Sequence, residues 1–392
     1  MALRGVLPVL FLSSFVAAVP PLAFAAQRVV DLTAADGTKL KATYFSADRP
    51  GPGVLLLHQC NRQRKSWDGL AQQLAAAGLN VLTLDYRGFG ESGGIAADKA
   101  TPQQAQEALA KWPGDIDLAM QYLQAQRDVK RDIIGVGGAS CGVNNSVQAA
   151  RRHPEVRSLV LLSGNTDLSG REFLREDKNL PVFFAYADDD EFKPSITAIQ
   201  WLYAITTDPS KKLVQYPNGG HGADMFRVHP DLPNQIVDWY TTTLISTPGK
   251  APVSKEKAAV PANISILDTI DQPGGALKVE EKLNEARKQD PSATLFDEAT
   301  VNFVGYEHMQ AGDLKNAIEI FKLNVVAFPN SPNVYDSLGD AYVADGQKQL
   351  ALKNARKALE LLASDTTDDQ QRKDAIKASA EQKLKQLGGS AE

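Results

Sequence analysis

Gly138-Ala139-Ser140-Cys141-Gly142 decides the fold. The pentapeptide matches G-x-S-x-G, follows the apolar run 132–137 and precedes a helical pattern over 142–152. A sharp strand-to-helix turn strains its central residue and crowds the positions two before and two after it, where Gly138 and Gly142 stand. If Cys141 were central, the flanking residues would be Ala139 and Val143, and a β-branched valine suits that place poorly. Ser140 is therefore the candidate nucleophile. A rival reading takes Gly135-Val136-Gly137 as a dinucleotide loop, but the run 158–164 lacks the acidic residue that loop would want.

Outward from this point, short apolar runs alternate with helical patterns. Runs at 54–58, 80–86, 132–138, 158–163, 181–187 and 212–216 read as buried strands. Runs 28–33 and 39–45 flank Asp36-Gly37, a hairpin signal. Helical spacing appears at 67–77, 103–126, 196–205 and 232–244, with Pro113-Gly114 expected to break the second. This alternation predicts an α/β fold with a mainly parallel sheet covered on both faces.

A serine hydroxyl needs a base, and the base needs an orienting acid. Of five histidines, His221, His229 and His308 follow the serine at a distance. His221 sits in Asn218-Gly219-Gly220-His221-Gly222, directly after a strand run, and is the candidate base; a plain turn histidine is the alternative. The acid should end the preceding strand, where Asp188-Asp189-Asp190 offers three carboxylates.

Residues 27–245 resemble an α/β-hydrolase of the dienelactone-hydrolase-like branch. The resemblance is carried by Val54-Leu55-Leu56-Leu57-His58, Asp85-Tyr86-Arg87-Gly88-Phe89-Gly90-Glu91-Ser92, the Ser140 turn, 181–190 and Gly220-His221-Gly222. It implies a catalytic Ser140, Asp190 and His221, with Asp188 the alternative acid because Ala187 stands where glycine is common. It also implies an oxyanion hole at the backbone N–H groups of Cys60 and Cys141, and a structural His58. Gln59 departs from the usual His-Gly pair. The alignment brings both cysteines of the chain to one oxyanion hole, a separation compatible with a Cys60–Cys141 disulfide; two reduced, buried cysteines are the alternative. Arg171, Phe173 and Arg175 read as rim residues of an open site with no inserted lid.

Past residue 245 the texture changes. Residues 246–262 are rich in Pro, Lys, Ala and Ser and read as a linker. Beyond it, 263–388 is helical, and Gly305, Gly312 and Ala317 recur 34 residues later as Gly339, Gly346 and Ala351. That period is the tetratricopeptide signature, with repeats at about 298–331 and 332–365, a capping helix at 373–387, and Glu280–Arg287 shielding the other end. Two repeats are few for independent stability, so they should lean on flanking helices, the first domain or a second chain.

The net charge of −5 on 392 residues gives no electrostatic case for nucleic acid. Two cysteines exclude a cysteine-rich metal domain, and no metal or cofactor is expected. Residues 1–25 place Arg4 before an apolar run and end in Ala23-Phe24-Ala25, which reads as a cleavable export signal leaving no stable membrane anchor. The alternative is an uncleaved anchor. Taken together, the sequence predicts an exported serine esterase, periplasmic or secreted if bacterial. It would take a small ester-type substrate and carry repeats for a protein partner or self-association. The competing readings are a catalytically silent scaffold and a serine peptidase.

Overall fold

The structure is a computed structural model describing residues 26–251, 260–366 and 368–388. Residues 1–25, the expected export signal, and residues 252–259 of the expected linker lie outside the described residues.

Eight strands form one sheet: β1 (Gln27–Thr33), β2 (Lys39–Phe45), β3 (Gly51–Leu57), β4 (Asn80–Leu84), β5 (Val129–Ala139), β6 (Val156–Leu162), β7 (Val182–Ala187) and β8 (Lys211–Tyr216). Their order is β1-β2-β4-β3-β5-β6-β7-β8. The β1–β2 and β2–β4 pairings are antiparallel and the rest parallel. The chain runs from β3 outward to β4, then returns past β3 to β5. This reversal opens a crevice at the carboxyl ends of β3 and β5, the usual place for a site in such sheets.

Seven helices accompany the sheet: α1 (Asp68–Ala76), α2 (Pro102–Gln124), α3 (Cys141–Arg152), α4 (Leu168–Glu176), α5 (Lys193–Ile205), α6 (Met225–Val228) and α7 (Asp231–Tyr240). On one face Trp67, Leu70 and Leu74 meet Ile236, Trp239 and Tyr240. On the other, Ile116, Met120, Val147, Leu174 and Leu202 cover the strands. Gly135 and Gly137 lie inside β5, where a Cβ at Gly135 would come within 2.7 Å of the Tyr240 ring. They are close-packing positions of a strand, so the rival dinucleotide loop has no loop to occupy.

One expectation fails locally, since α2 runs straight through Pro113. Proline removes only the bond to the carbonyl four residues back, that of Leu109, whose side chain is half exposed. The next turn is held by the buried Asp115, which takes two 2.6 Å bonds from Arg87.

The helical region comprises α8 (Ala262–Ile270), α9 (Gly275–Gln289), α10 (Glu298–Gln310), α11 (Leu314–Ala327), α12 (Pro332–Ala344), α13 (Lys348–Leu362) and α14 (Gln370–Gln386). The hairpins α10–α11 and α12–α13 start 34 residues apart. A Cβ on Gly305 would lie 2.6 Å from the Phe321 ring, so that hairpin closes only around glycine. At one end Arg287 donates to the Val326 and Ala327 carbonyls at the close of α11. At the other, α14 buries Ile376, Ala380 and Leu384.

The helical region is not merely tethered. Ile264, Leu267 and Ile270 of α8 and Val301 and Val304 of α10 share one buried apolar cluster with Leu174, Ile199 and Trp201. Burying each such large side chain contributes about 1.5–3 kcal/mol before entropy is counted.

Candidate active site

Ser140 has φ 54° and ψ −119°, one of three non-glycine residues with positive φ among those described. The geometry explains both flanking glycines. A Cβ on Gly138 would run into the Gly142 carbonyl, and one on Gly142 into the Leu57 carbonyl. Ser140 thus sits between β5 and α3, at the carboxyl edge of the sheet. Its side chain is partly exposed and makes no hydrogen bond with another described residue. Nucleophile–base bonds commonly tighten only when substrate binds.

The three adjacent aspartates after β7 are separated by their partners. Asp188 turns outward to Gln215. Asp189 accepts from the Gly220 N–H at 2.9 Å, and hydrogen bonds from the Gly220 and Gly219 backbone hold its carboxyl below the ordinary range against slight burial. Asp190 is fully buried and both its oxygens lie at 2.9–3.0 Å from His221 Nδ1. Asp190 also accepts from the Phe192 N–H. The geometry selects Asp190, not Asp188, as the partner of His221. With Nδ1–H donating to Asp190, Nε2 is left as the acceptor.

His58 stands apart from this pair. It is buried, and its Nε2 accepts from the Tyr86 N–H at 3.2 Å, which leaves Nδ1 to donate to the Gln59 carbonyl at 2.8 Å. Burial lowers its pKa, more than the Gln59 carbonyl and Asp85 raise it. It remains neutral and holds the turn after β3. Asp85 fixes the far side of that turn through the Arg64 backbone and side chain.

Cys60 and Cys141 are joined by a disulfide, with Cα atoms 5.9 Å apart. This bond ties the turn after β3 to the residue after Ser140. Among the described residues, neither cysteine's backbone N–H donates to a protein acceptor. Two backbone donors without a protein acceptor are thus held on neighbouring turns, one of them directly after the strained serine.

In the sequence Gln59 stands out only as a departure from the usual His-Gly pair. The structure gives it a position: its Oε1 accepts from the Ala223 N–H at 2.8 Å, and its Nε2 donates to Asn61 and, at 3.4 Å, to the His221 carbonyl. Gln59 clamps the histidine loop to the turn after β3. Its neighbours in sequence carry no hint of this, because its partners on the histidine loop, His221 and Ala223, lie more than 160 residues away.

Arg171 differs most from expectation. It is buried, not on a solvated rim, and pairs with Asp271 at 2.7 Å and Glu307 at 2.7 Å. Its guanidinium lies 4.6 Å from the centre of the Trp201 ring. Arg175 adds bonds to Asp268 and Asp271.

Residues 52–196 match the α/β-hydrolase fold family. An uncharacterized protein of Mycobacterium tuberculosis H37Rv is 32% identical over 218 residues, covering 50% of this chain and 73% of its own. The chain belongs to the α/β-hydrolase fold family. Among solved structures, it is similar to the Pyrococcus furiosus esterase Pf2001, at 18% identity over 56% of this chain and 94% of that one, with a TM-score of 0.45. It is likewise similar to dienelactone hydrolase from Anabaena variabilis, at 20% identity over 56% and 99%, with a TM-score of 0.44.

Proposed function

We propose that this chain is a serine hydrolase of carboxylic esters. The observation that carries the reading is the buried Asp190–His221 pair on the sheet edge that presents Ser140 on a strained turn. Ser140 Oγ attacks the ester carbonyl while His221 Nε2 takes its proton. Asp190 holds the ring and stabilises the imidazolium. The Cys60 and Cys141 N–H groups receive the oxyanion. His221 then protonates the leaving alcohol, and water resolves the acyl-enzyme by the same steps. A peptidase or a silent scaffold draws no specific observation to itself.

Two further parts of the proposal concern the whole chain. Residues 1–25 direct export, in keeping with a disulfide, which persists in oxidising compartments. The hairpins of α10–α13 are tetratricopeptide repeats, supported by their 34-residue spacing, and serve contacts with a protein partner or a second copy.

A fluorophosphonate probe tests the catalytic reading. It should label the wild type and leave Ser140→Ala unlabelled. Ser140→Ala should also lower kcat on p-nitrophenyl esters by up to ~10⁶-fold. A folded wild type that takes no label defeats the proposal. Faster turnover of aminoacyl-nitroanilides than of esters would make it a peptidase.

A further inference from the structure

A cavity of about 300 Å³ lies between α5 and α10. Pro194, Ala198 and Trp201 form one wall; Thr300, Phe303 and Val304 form the other. Its size falls at the low end of the ~300–1,000 Å³ typical of ligand pockets. Asp297 is the one charged lining residue, and its carboxylate is engaged with the Thr300 N–H at 2.8 Å, at the start of α10.

Two short links tie this cavity to the catalytic loops. Asn165, also in the lining, follows Gly164, which packs so closely on Ser140 that a Cβ there would meet the Ser140 carbonyl. Pro194 lies two residues past Phe192, whose ring centre is 4.7 Å from that of His221. Phe192 and Phe303 are 51% and 53% exposed, large apolar surfaces without cover beside a polar centre. The deeper wall is rigid, since Trp201 is held beneath the Arg171 guanidinium that also pairs with Asp271 and Glu307.

We propose that this cavity takes a hydrocarbon arm of the ester, linear or aromatic, and that α10 of the helical region is thereby part of the substrate site. The inference rests on the serine-hydrolase reading and extends it to a substrate class, esters with one medium-length apolar arm. It also gives the helical region a role within its own chain.

The test uses the full chain. kcat/KM is measured for p-nitrophenyl acetate against p-nitrophenyl octanoate, and for ethyl acetate against octyl acetate, which separates the acyl arm from the alcohol arm. One long-arm ester should exceed its short partner by ~10-fold or more, as burial of several methylenes allows. Ala198→Trp, which fills the cavity, should abolish that ratio. Phe303→Ala, on an exposed side chain that folding does not need, should lower it several-fold. Wild-type ratios retained in both variants, or in Phe303→Ala if the other does not fold, overturn the proposal. Octanoate binding to Ser140→Ala, followed by calorimetry, reads the cavity without turnover. Its loss in the Ser140→Ala/Ala198→Trp double variant supports the site, and no binding to Ser140→Ala overturns it. Binding of octanoate by a wild type that hydrolyses no ester would sink the hydrolase reading alone.

Discussion

The turn after β3 is tied to the serine turn and the histidine loop by a covalent bond and the neutral contacts of Gln59, with the Arg64–Asp85 ion pair on its far side and Arg62–Asp224 at its surface, whereas at the junction with the helical region the central tie is itself a cluster of buried charge. Cys60–Cys141 and the Gln59 contacts hold the turn after β3 against the serine turn and the histidine loop. In the proposed mechanism, directional and uncharged ties next to the oxyanion leave unaltered the field the substrate meets. At the junction, Arg171 reaches Asp271 and Glu307 across 100 and 136 residues of sequence. Buried ions stabilise little beyond an apolar contact, yet they tolerate no wrong partner. The active edge is thus held for geometry, and the junction for specificity of docking.

Breaking the junction should cost most. Arg171→Ala leaves Asp271 buried without its main counter-charge and should lower stability by about 3–5 kcal/mol in denaturant titrations. The Arg171→Met/Asp271→Leu pair should recover most of that loss; no recovery would mean that the ions contribute net attraction as well as selectivity. Removing the disulfide with Cys60→Ala/Cys141→Ala should cost about 2–4 kcal/mol, given a sequence separation of 81 between its ends. It should also lower kcat, because the proposed oxyanion donor of Cys60 is released. Gln59→Ala should lower kcat roughly tenfold with a smaller stability loss of about 1–3 kcal/mol, read by comparing activity and unfolding in one preparation.

The smallest effect separates the two regions by pH. Burial pushes Glu307 up to about 7, only partly offset by Arg171. His308 is also raised: burial lowers it, but Asp271 and Asp313 outweigh that. Asp271 is driven up by burial yet held well below the ordinary range by His308, Arg171 and Arg175, so it stays ionised at neutral pH. Both raised groups bind protons more tightly in the folded state. Their contribution is full below their unfolded values and fades as pH rises through their folded ones. The unfolding free energy should therefore fall between pH 5 and 8 by on the order of 1 kcal/mol, and the melting temperature with it. Glu307→Gln should flatten the curve, and an unchanged slope would refute the assignment.

These contrasts also mark what the sequence could convey. Ser140, its two glycines and the strand before it are legible because a strained turn restricts residue type locally. The choice of Asp190 needed a family spacing, since three equal carboxylates carry no local preference; burial and the Phe192 N–H separate them. The proximity of the cysteines is legible only through the family resemblance, which implies one oxyanion hole for both. Arg171 was misread because a charged residue in a short connecting helix is ordinarily solvated, and its partners are distant in sequence. At Pro113 the opposite holds: a strong local rule yields beside a half-exposed Leu109 and a buried ion pair.

The shared apolar cluster bears on the order of assembly. Trp201 and Ile199, within the first 205 residues, are buried together with Leu267 and Val304. The sheet can form as soon as its strands are made, but one of its helical layers stays greasy and uncovered until the last third of the chain exists. Folding of the earlier part is completed by the later part, and an interrupted chain would present that uncovered layer to its neighbours.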